Sequence, residues 1–472
     1  MKRVTSWYVR IVSIVLIAAL LFVVIGCSSG VESDISSPDY IDQIVNPDRS
    51  LFYGETITIA TSWAVIINGY AVRYMKANPG VRINIIDYFN TLTRGEIAPS
   101  ELSFDLVRPE IATQLMAGTA PTLIDGFLVD SFDPRQAVFF YDWYLLMDAD
   151  PNFNEEDWFM NAFHGFSING QLFQLPLVFF YHPLFVNTTI PNLSEAMNNK
   201  RDGVTMAELM ELHREFSQYH SHLLEEYFTA ERLLQYYIDR FVDIETGTVD
   251  FGEEFINLVT YAEIITCPDY HRRWATWPLS EASELRKSES YLFHFIASVW
   301  NHRFLDHDGE RPFAGITPLV NHRGELLIES EFSYSYLLNA NATPIEKAIA
   351  WDFIMFMMQH YDPNMSLALD GFMFRSINRD VFYNEKTRIL PIMHREGHSW
   401  FQGTYEELIA GVHETMTRFH EMPMRYIGAR PRVIDDIIED VMNQFHDGLL
   451  SVEQAAELLQ NQITLVLMEM ER

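Results

Sequence analysis

The chain has 472 residues and a formal net charge of −32, with 48% hydrophobic and 14% aromatic residues. So much apolar side chain excludes a disordered chain, and the length exceeds one ordinary core and suits about two or three. An acidic field of this size makes nucleic acid and anionic lipid headgroups poor partners, leaving two readings of the charge: solubility outside a cell, or selection of a cationic ligand.

Lys2, Arg3 and Arg10 flank the start of an apolar run from Ile11 to Ile25. The run falls short of the roughly 20 residues that span a bilayer and suits the hydrophobic part of an export signal. It ends in Val24-Ile25-Gly26-Cys27, followed by Ser28-Ser29-Gly30. This order resembles the bacterial lipobox, in which the cysteine thiol takes a diacylglyceryl group. Cleavage before it frees an amine for acylation, for example by palmitate. Residues 1–26 are then a lipoprotein signal peptide, and 27–50, rich in Ser, Asp and Pro, a flexible tether. The competing reading is an uncleaved anchor that happens to end in Gly-Cys. The only other cysteine is Cys267, so a lipidated Cys27 leaves no disulfide within the chain.

Thr56–Ala60 reads as a buried strand, Ala64–Ala77 as a helix stopped by Asn78-Pro79-Gly80, and Val81–Ile86 as a second strand. Strand, helix, strand is a βαβ unit and implies a parallel sheet, whose ligands bind beyond the carboxyl ends of the strands. Ser62 and Trp63 fall there. Ile111–Met116 reads as a helix end before Ala117-Gly118, and Leu123–Phe127 as an apolar strand. The acidic stretch Asp148–Asp157 reads as a solvated loop and helix start. Asn169-Gly170 is a turn signal leading into a strand over Leu172–Val178. Thr343-Pro344-Ile345-Glu346 and Ser451-Val452-Glu453-Gln454 are capping boxes that open helices.

Five segments in this order resemble the extracellular solute-binding proteins of ABC importers, family 1. They are Thr56–Ile86, Gln114–Pro121, Asn169–Pro176 with Phe185-Val186-Asn187, Thr343–Ile354 and Phe445–Gln460. Two departures stand out. The aspartate expected after Pro121 is Thr122, and Phe185-Val186-Asn187 lacks the usual tyrosines. The resemblance implies an α/β, two-lobed periplasmic-binding-protein-like fold (type II), each lobe a mostly parallel sheet flanked by helices. The first lobe is expected to take residues 51–160 and 312–342, the second 161–311 and 343–472 with the C-terminal helices. It implies a monomer that closes on a small polar ligand, often an oligosaccharide, and passes it to importer permease subunits. It implies no cofactor and a lipid-anchored site on the outer face of the cell membrane.

Sugar recognition needs aromatic faces together with polar groups for hydroxyls. Trp63 lies just past the first strand, and Trp300 follows an apolar run resembling the family strand whose tryptophan faces ligand. Asp125 and Phe127 end a buried strand, where Asp125 would accept from a ligand or from turn N–H groups. Tyr181 suits the cleft or hinge packing, and Phe332 and Tyr426 fall in segments that approach the cleft in the family. His213, His220 and His222 with Glu225 and Glu226 suggest a metal, against an exposed polar helix face. Asp306-His307-Asp308-Gly309 resembles a calcium loop without its later glutamate. No Gly-x-Ser-x-Gly, His-Glu-x-x-His or phosphate loop occurs, so no catalytic residue is assigned. A transport-linked binding protein is the leading reading. A surface sensor or scavenger on the same fold, and a lipid-anchored glycoside hydrolase with paired carboxylates, are the alternatives.

Overall fold

The structure, a computed structural model, describes residues 36–62, 64–88, 107–181, 183–187, 190–198, 200, 202–217, 222–224, 230–265, 291–295, 313–329, 334–360, 375–381, 418 and 420–470. The first element among the described residues is helix α1 (Pro38–Val45), with proline in the first turn, where its missing N–H costs nothing. Ile41, Ile44 and Val45 recur on one helix face and are buried in the first core. The expected flexible tether over 27–50 is corrected accordingly: Pro38–Val45 within it is a docked helix.

Strand β1 (Thr56–Thr61), helix α2 (Ala64–Ala77) and strand β2 (Arg82–Asp87) form the βαβ unit. β1 and β2 are parallel, with Thr56 opposite Arg82 and Thr61 opposite Asp87. Helix α3 (Arg108–Met116) leads to β3 (Leu123–Asp125), which lies parallel on the other side of β1. Strand β4 (Phe140–Tyr141) and helices α4 (Trp143–Ala149) and α5 (Met160–Gly165) follow. Asn169 and Gly170, at φ 50° and 74°, make the tight turn that pairs Ile168 with Gln171. The strand expected over 172–178 is broken into β5 (Leu175–Pro176) and β6 (Val178–Tyr181).

β7 (Pro183–Asn187) enters the second lobe, followed by α6 (Leu193–Asn198) and α7 (Met206–Phe216). β8 (His222–Leu224), α8 (Ala230–Tyr237), the hairpin β9 (Val242–Asp243) and β10 (Thr248–Val249), and α9 (Glu253–Ile265) come next. β11 (Tyr291–Phe295) and β12 (Phe313–Pro318) complete that sheet. The chain returns through β13 (Leu326–Glu329) to β14 (Ser335–Asn339), α10 (Pro344–Gln359) and β15 (Arg375–Ser376). It crosses again after β16 (Met424–Tyr426) to α11 (Arg432–His446) and α12 (Val452–Met470).

The first-lobe sheet runs β2-β1-β3-β14-β4 with β5 also on β14, the second β12-β7-β11-β8, and a hinge sheet β15-β6-β13-β16 joins them. β14 is antiparallel to β3, and β7 is antiparallel to β11 and β12. The architecture is the expected two-lobed α/β one with mostly parallel sheets, each carrying one strand against the rest, β14 in the first and β7 in the second, where the chain returns from a crossover.

Alternation along the central strands gives the first lobe two apolar faces. Ile57, Ile59, Leu123, Tyr336 and Leu338 face one core, while Ala60, Ile124 and Leu337 face the other. The second core joins Leu184, Leu209, Phe255 and Val259 to Ile434, Ile438 and Leu459. The expected lobe boundaries are corrected at three places. Residues 161–181 and α10 lie in the first core, and β12 pairs with β7 of the second lobe. Helix α10 leaves β14 by a short turn, capped by the reciprocal Thr343–Glu346 box, and so packs on the sheet that it has just left. The Ser451–Gln454 box opens α12 in the same way. Asp150, placed in a solvated loop by its sequence, is buried and accepts the Trp351 indole N–H at 2.8 Å.

Lys347 of α10 is 0% exposed. Its ammonium donates to the Tyr40 hydroxyl at 2.8 Å and the Ala340 carbonyl at 2.7 Å, beneath the rings of Tyr40 and Tyr141. This cage fixes α1 to the lobe. Burial pushes the Lys347 amine down to about 8, against the opposing pull of Glu346. The unfolded chain holds that proton up to about pH 10.4, so stability falls as pH drops through this window and rises as pH climbs. Between pH 8 and pH 9.5 the gain is about 2 kcal/mol. Thermal melts at the two pH values should show this slope in the native chain and lose it in Lys347→Met. An unchanged slope in the variant rules out Lys347 as its source.

Candidate ligand site

The carboxyl ends of β1 and β3 meet at a buried polar floor. Asp125, 0% exposed, closes β3. Its Oδ2 accepts the Ser62 backbone N–H at 2.8 Å and the Ser62 hydroxyl in a shorter bond, and its Oδ1 accepts the Phe127 N–H at 3.0 Å. The carboxylate thus ties the residue after β1 to the turn after β3, which is the turn-holding alternative weighed from sequence. Beside it, Ser131 Oγ donates to Gln174 Oε1 at 2.7 Å, and Gln174 Nε2 donates to Ser335 Oγ at 2.8 Å. Gly126 permits this approach: a Cβ there would lie 2.5 Å from Gln174 Nε2 and 2.7 Å from Ser335 Oγ. Thr122, standing where the family pattern has aspartate, is buried and its carbonyl accepts the Asn339 N–H at 3.0 Å.

Phe127 is half-buried, its carbonyl accepting from Arg108 at 3.2 Å. The Arg432 guanidinium lies 6.0 Å from its ring centroid. Tyr426 is half-buried in the hinge sheet, stacked on Phe166 at 4.1 Å and 11° and tilted against Phe132 at 5.6 Å. Burial, with Glu329 and Asp435 adding to it, raises its phenol above the ordinary range. Tyr181 is 4% exposed, in the first core and in register with Ile328 of β13, so the structure places it in hinge packing.

Asp125 and Phe127 therefore share one edge with Ser62, while Tyr181 and Tyr426 lie in the hinge. Trp63, Trp300, Phe332, Cys27, Cys267, His220 and the 306–309 loop fall outside the described residues. His213 is buried against the second core and bonded to the Tyr261 hydroxyl, which corrects its placement on an exposed face. Among the described residues no group of acidic, His or Cys side chains is arranged to hold a metal ion.

Sequence reasoning passed over Gln174 and Ser335, and also Asp130 and Arg432, which meet between the lobes at 2.7 Å. The polar run Asp130-Ser131-Phe132-Asp133, close behind an apolar strand, was the available signal.

Comparison of the sequence with protein-family models and with curated proteins gives no match. Solved structures do match. A binding protein of Bacillus subtilis in an open conformation is 12% identical, covering 89% of this chain and 99% of its own, with a TM-score of 0.53. An extracellular solute-binding protein family 1 member from Alicyclobacillus acidocaldarius is 11% identical, covering 88% and 99%, with a TM-score of 0.50. An ABC substrate-binding protein of Listeria monocytogenes in complex with cycloalternan is 11% identical, covering 87% and 98%, with a TM-score of 0.50. Over nearly its whole length, the chain has the two-lobed α/β fold of periplasmic binding proteins.

Proposed function

We propose that this chain is an extracellular solute-binding lipoprotein. It captures a small polar solute, a neutral oligosaccharide, between its lobes and delivers it to the permease subunits of an ABC importer. The supporting observation is the pairing of two separate cores, joined by three crossings, with a polar floor at the carboxyl ends of β1 and β3. Strand ends of an open α/β sheet present N–H groups and loop side chains to a ligand. Hinge closure then lets a transporter distinguish loaded from empty protein. The cycloalternan complex of the Listeria protein supports the sugar class. The role is binding rather than turnover: the floor carboxylate is occupied by backbone and hydroxyl donors.

Calorimetric titration with a panel of oligosaccharides, paired with product analysis, tests this. Heat without product is expected. A thermal shift with a polyamine or peptide and with no sugar would overturn the ligand class, since a ligand of the native state alone raises the melting point.

Cys27 is proposed as the anchor, acylated on the outer face of the cell membrane. Several chains on one terminus bind membrane stably where one does not. Cys27→Ser should release the protein to the soluble fraction and abolish incorporation of labelled palmitate. Retention of both by the variant would place the anchor elsewhere.

A further inference from the structure

Asp130 belongs to the first lobe, two residues beyond the 3-10 turn Gly126–Leu128. Its Oδ2 accepts the backbone N–H of Arg432 at 2.7 Å. Arg432 opens α11 of the second lobe, and the residue before it, Pro431, offers no side-chain cap. A first-lobe carboxylate therefore satisfies an orphan N–H at the positive end of a 15-residue second-lobe helix. The Arg432–Phe127 and Phe132–Tyr426 contacts flank the same point.

The charged groups around Asp130 come from three elements. Its own turn contributes Asp133, which Arg135 holds at 2.7 Å. Helix α11 contributes Arg432, while Asp435 is turned away to Arg430 at 2.6 Å. From α12, Glu469 acts on Arg135. Loss of water is the largest influence on the Asp130 carboxyl and pushes it up to about 6, outweighing the bond from the Arg432 N–H.

We propose that Asp130 is a cross-lobe positioning residue whose ionisation sets how closely α11, and with it the second lobe, docks on the first. This deepens the two-lobe binding reading and rests on it for its consequence in ligand capture. When α11 withdraws, the carboxyl regains water and its ordinary value of about 3.9. The docked form therefore holds a proton more tightly, and acidification favours it. From pH 7.5 to pH 5 the ratio of docked to withdrawn protein rises about tenfold. At neutral pH the docked form holds a half-buried charge, which leaves a ligand room to drive closure.

The full chain with Cys27→Ser and Cys267→Ser, carrying spin labels at Met116→Cys and Leu449→Cys, tests this without any solute. Both label positions are exposed, one on each lobe. The docked population should grow on acidification. Asp130→Asn, a neutral acceptor, should be docked at both pH values, and Asp130→Ala withdrawn at both. Small-angle scattering of the unsubstituted chain should show the radius of gyration falling over the same range, independently of any variant. A distribution that does not move, or that moves equally in Asp130→Asn, overturns the proposal. A chain that binds no sugar yet shifts with pH would count against the solute-binding reading alone.

Discussion

Replacing Trp351 with alanine is expected to lower the stability of the first lobe by about 4 kcal/mol, the cost of removing a large aromatic side chain from a packed core. Trp351 is 3% exposed and lies among Trp143, at 6.0 Å, and Phe153, at 6.3 Å. Its indole N–H is also a donor to the buried carboxylate of Asp150. Truncation leaves that oxygen without this donor inside the core, adding to the cavity cost. Two separately packed lobes imply that unfolding need not be two-state. Urea unfolding followed by probes in each half should show the first-lobe midpoint falling and the second-lobe midpoint moving much less. Equal shifts in both would mean that α10 does not belong to one lobe. Trp351→Phe should recover most of the volume and none of the Asp150 bond.

The second large effect concerns Asp125. Asp125→Ala removes the acceptor for two backbone N–H groups and one hydroxyl in a buried site, which costs about 3 kcal/mol. It also frees the residue after β1 from the turn after β3, so binding of any solute at that edge should be lost together with stability. Asp125→Asn keeps an acceptor in place and should lose less of both. Denaturant midpoints and calorimetric heats on the same samples separate two roles. If Asn at this position leaves stability native while abolishing ligand heat, Asp125 touches the solute and does not merely hold the floor.

The features legible in the sequence are those written over short spans. The βαβ unit, both capping boxes and the Asn169-Gly170 turn are local, because a few residues set each backbone conformation. Helix α1 was equally local, with Pro38 in its first turn and apolar residues at helical spacing, but the surrounding Ser, Asp and Pro masked it. The lobe boundaries depended on which sheet a segment meets after a long return, and no spacing encodes that. The same holds for the link between Asp130 and Arg432, 302 positions apart. At the site, Asp125 drew notice as a lone carboxylate in an apolar strand. Gln174 and Ser335 did not, because each is unremarkable until folding sets them against Gly126.

In β13, Leu326 and Ile328 point into the first core and Leu327 into the second. A single stretch of backbone is thus gripped from opposite sides by the two halves. Sliding it by one position would exchange the sides of all three leucine and isoleucine residues. Relative motion of the halves must therefore leave the register of this strand unchanged, as a torsion bar clamped at each end turns without creeping.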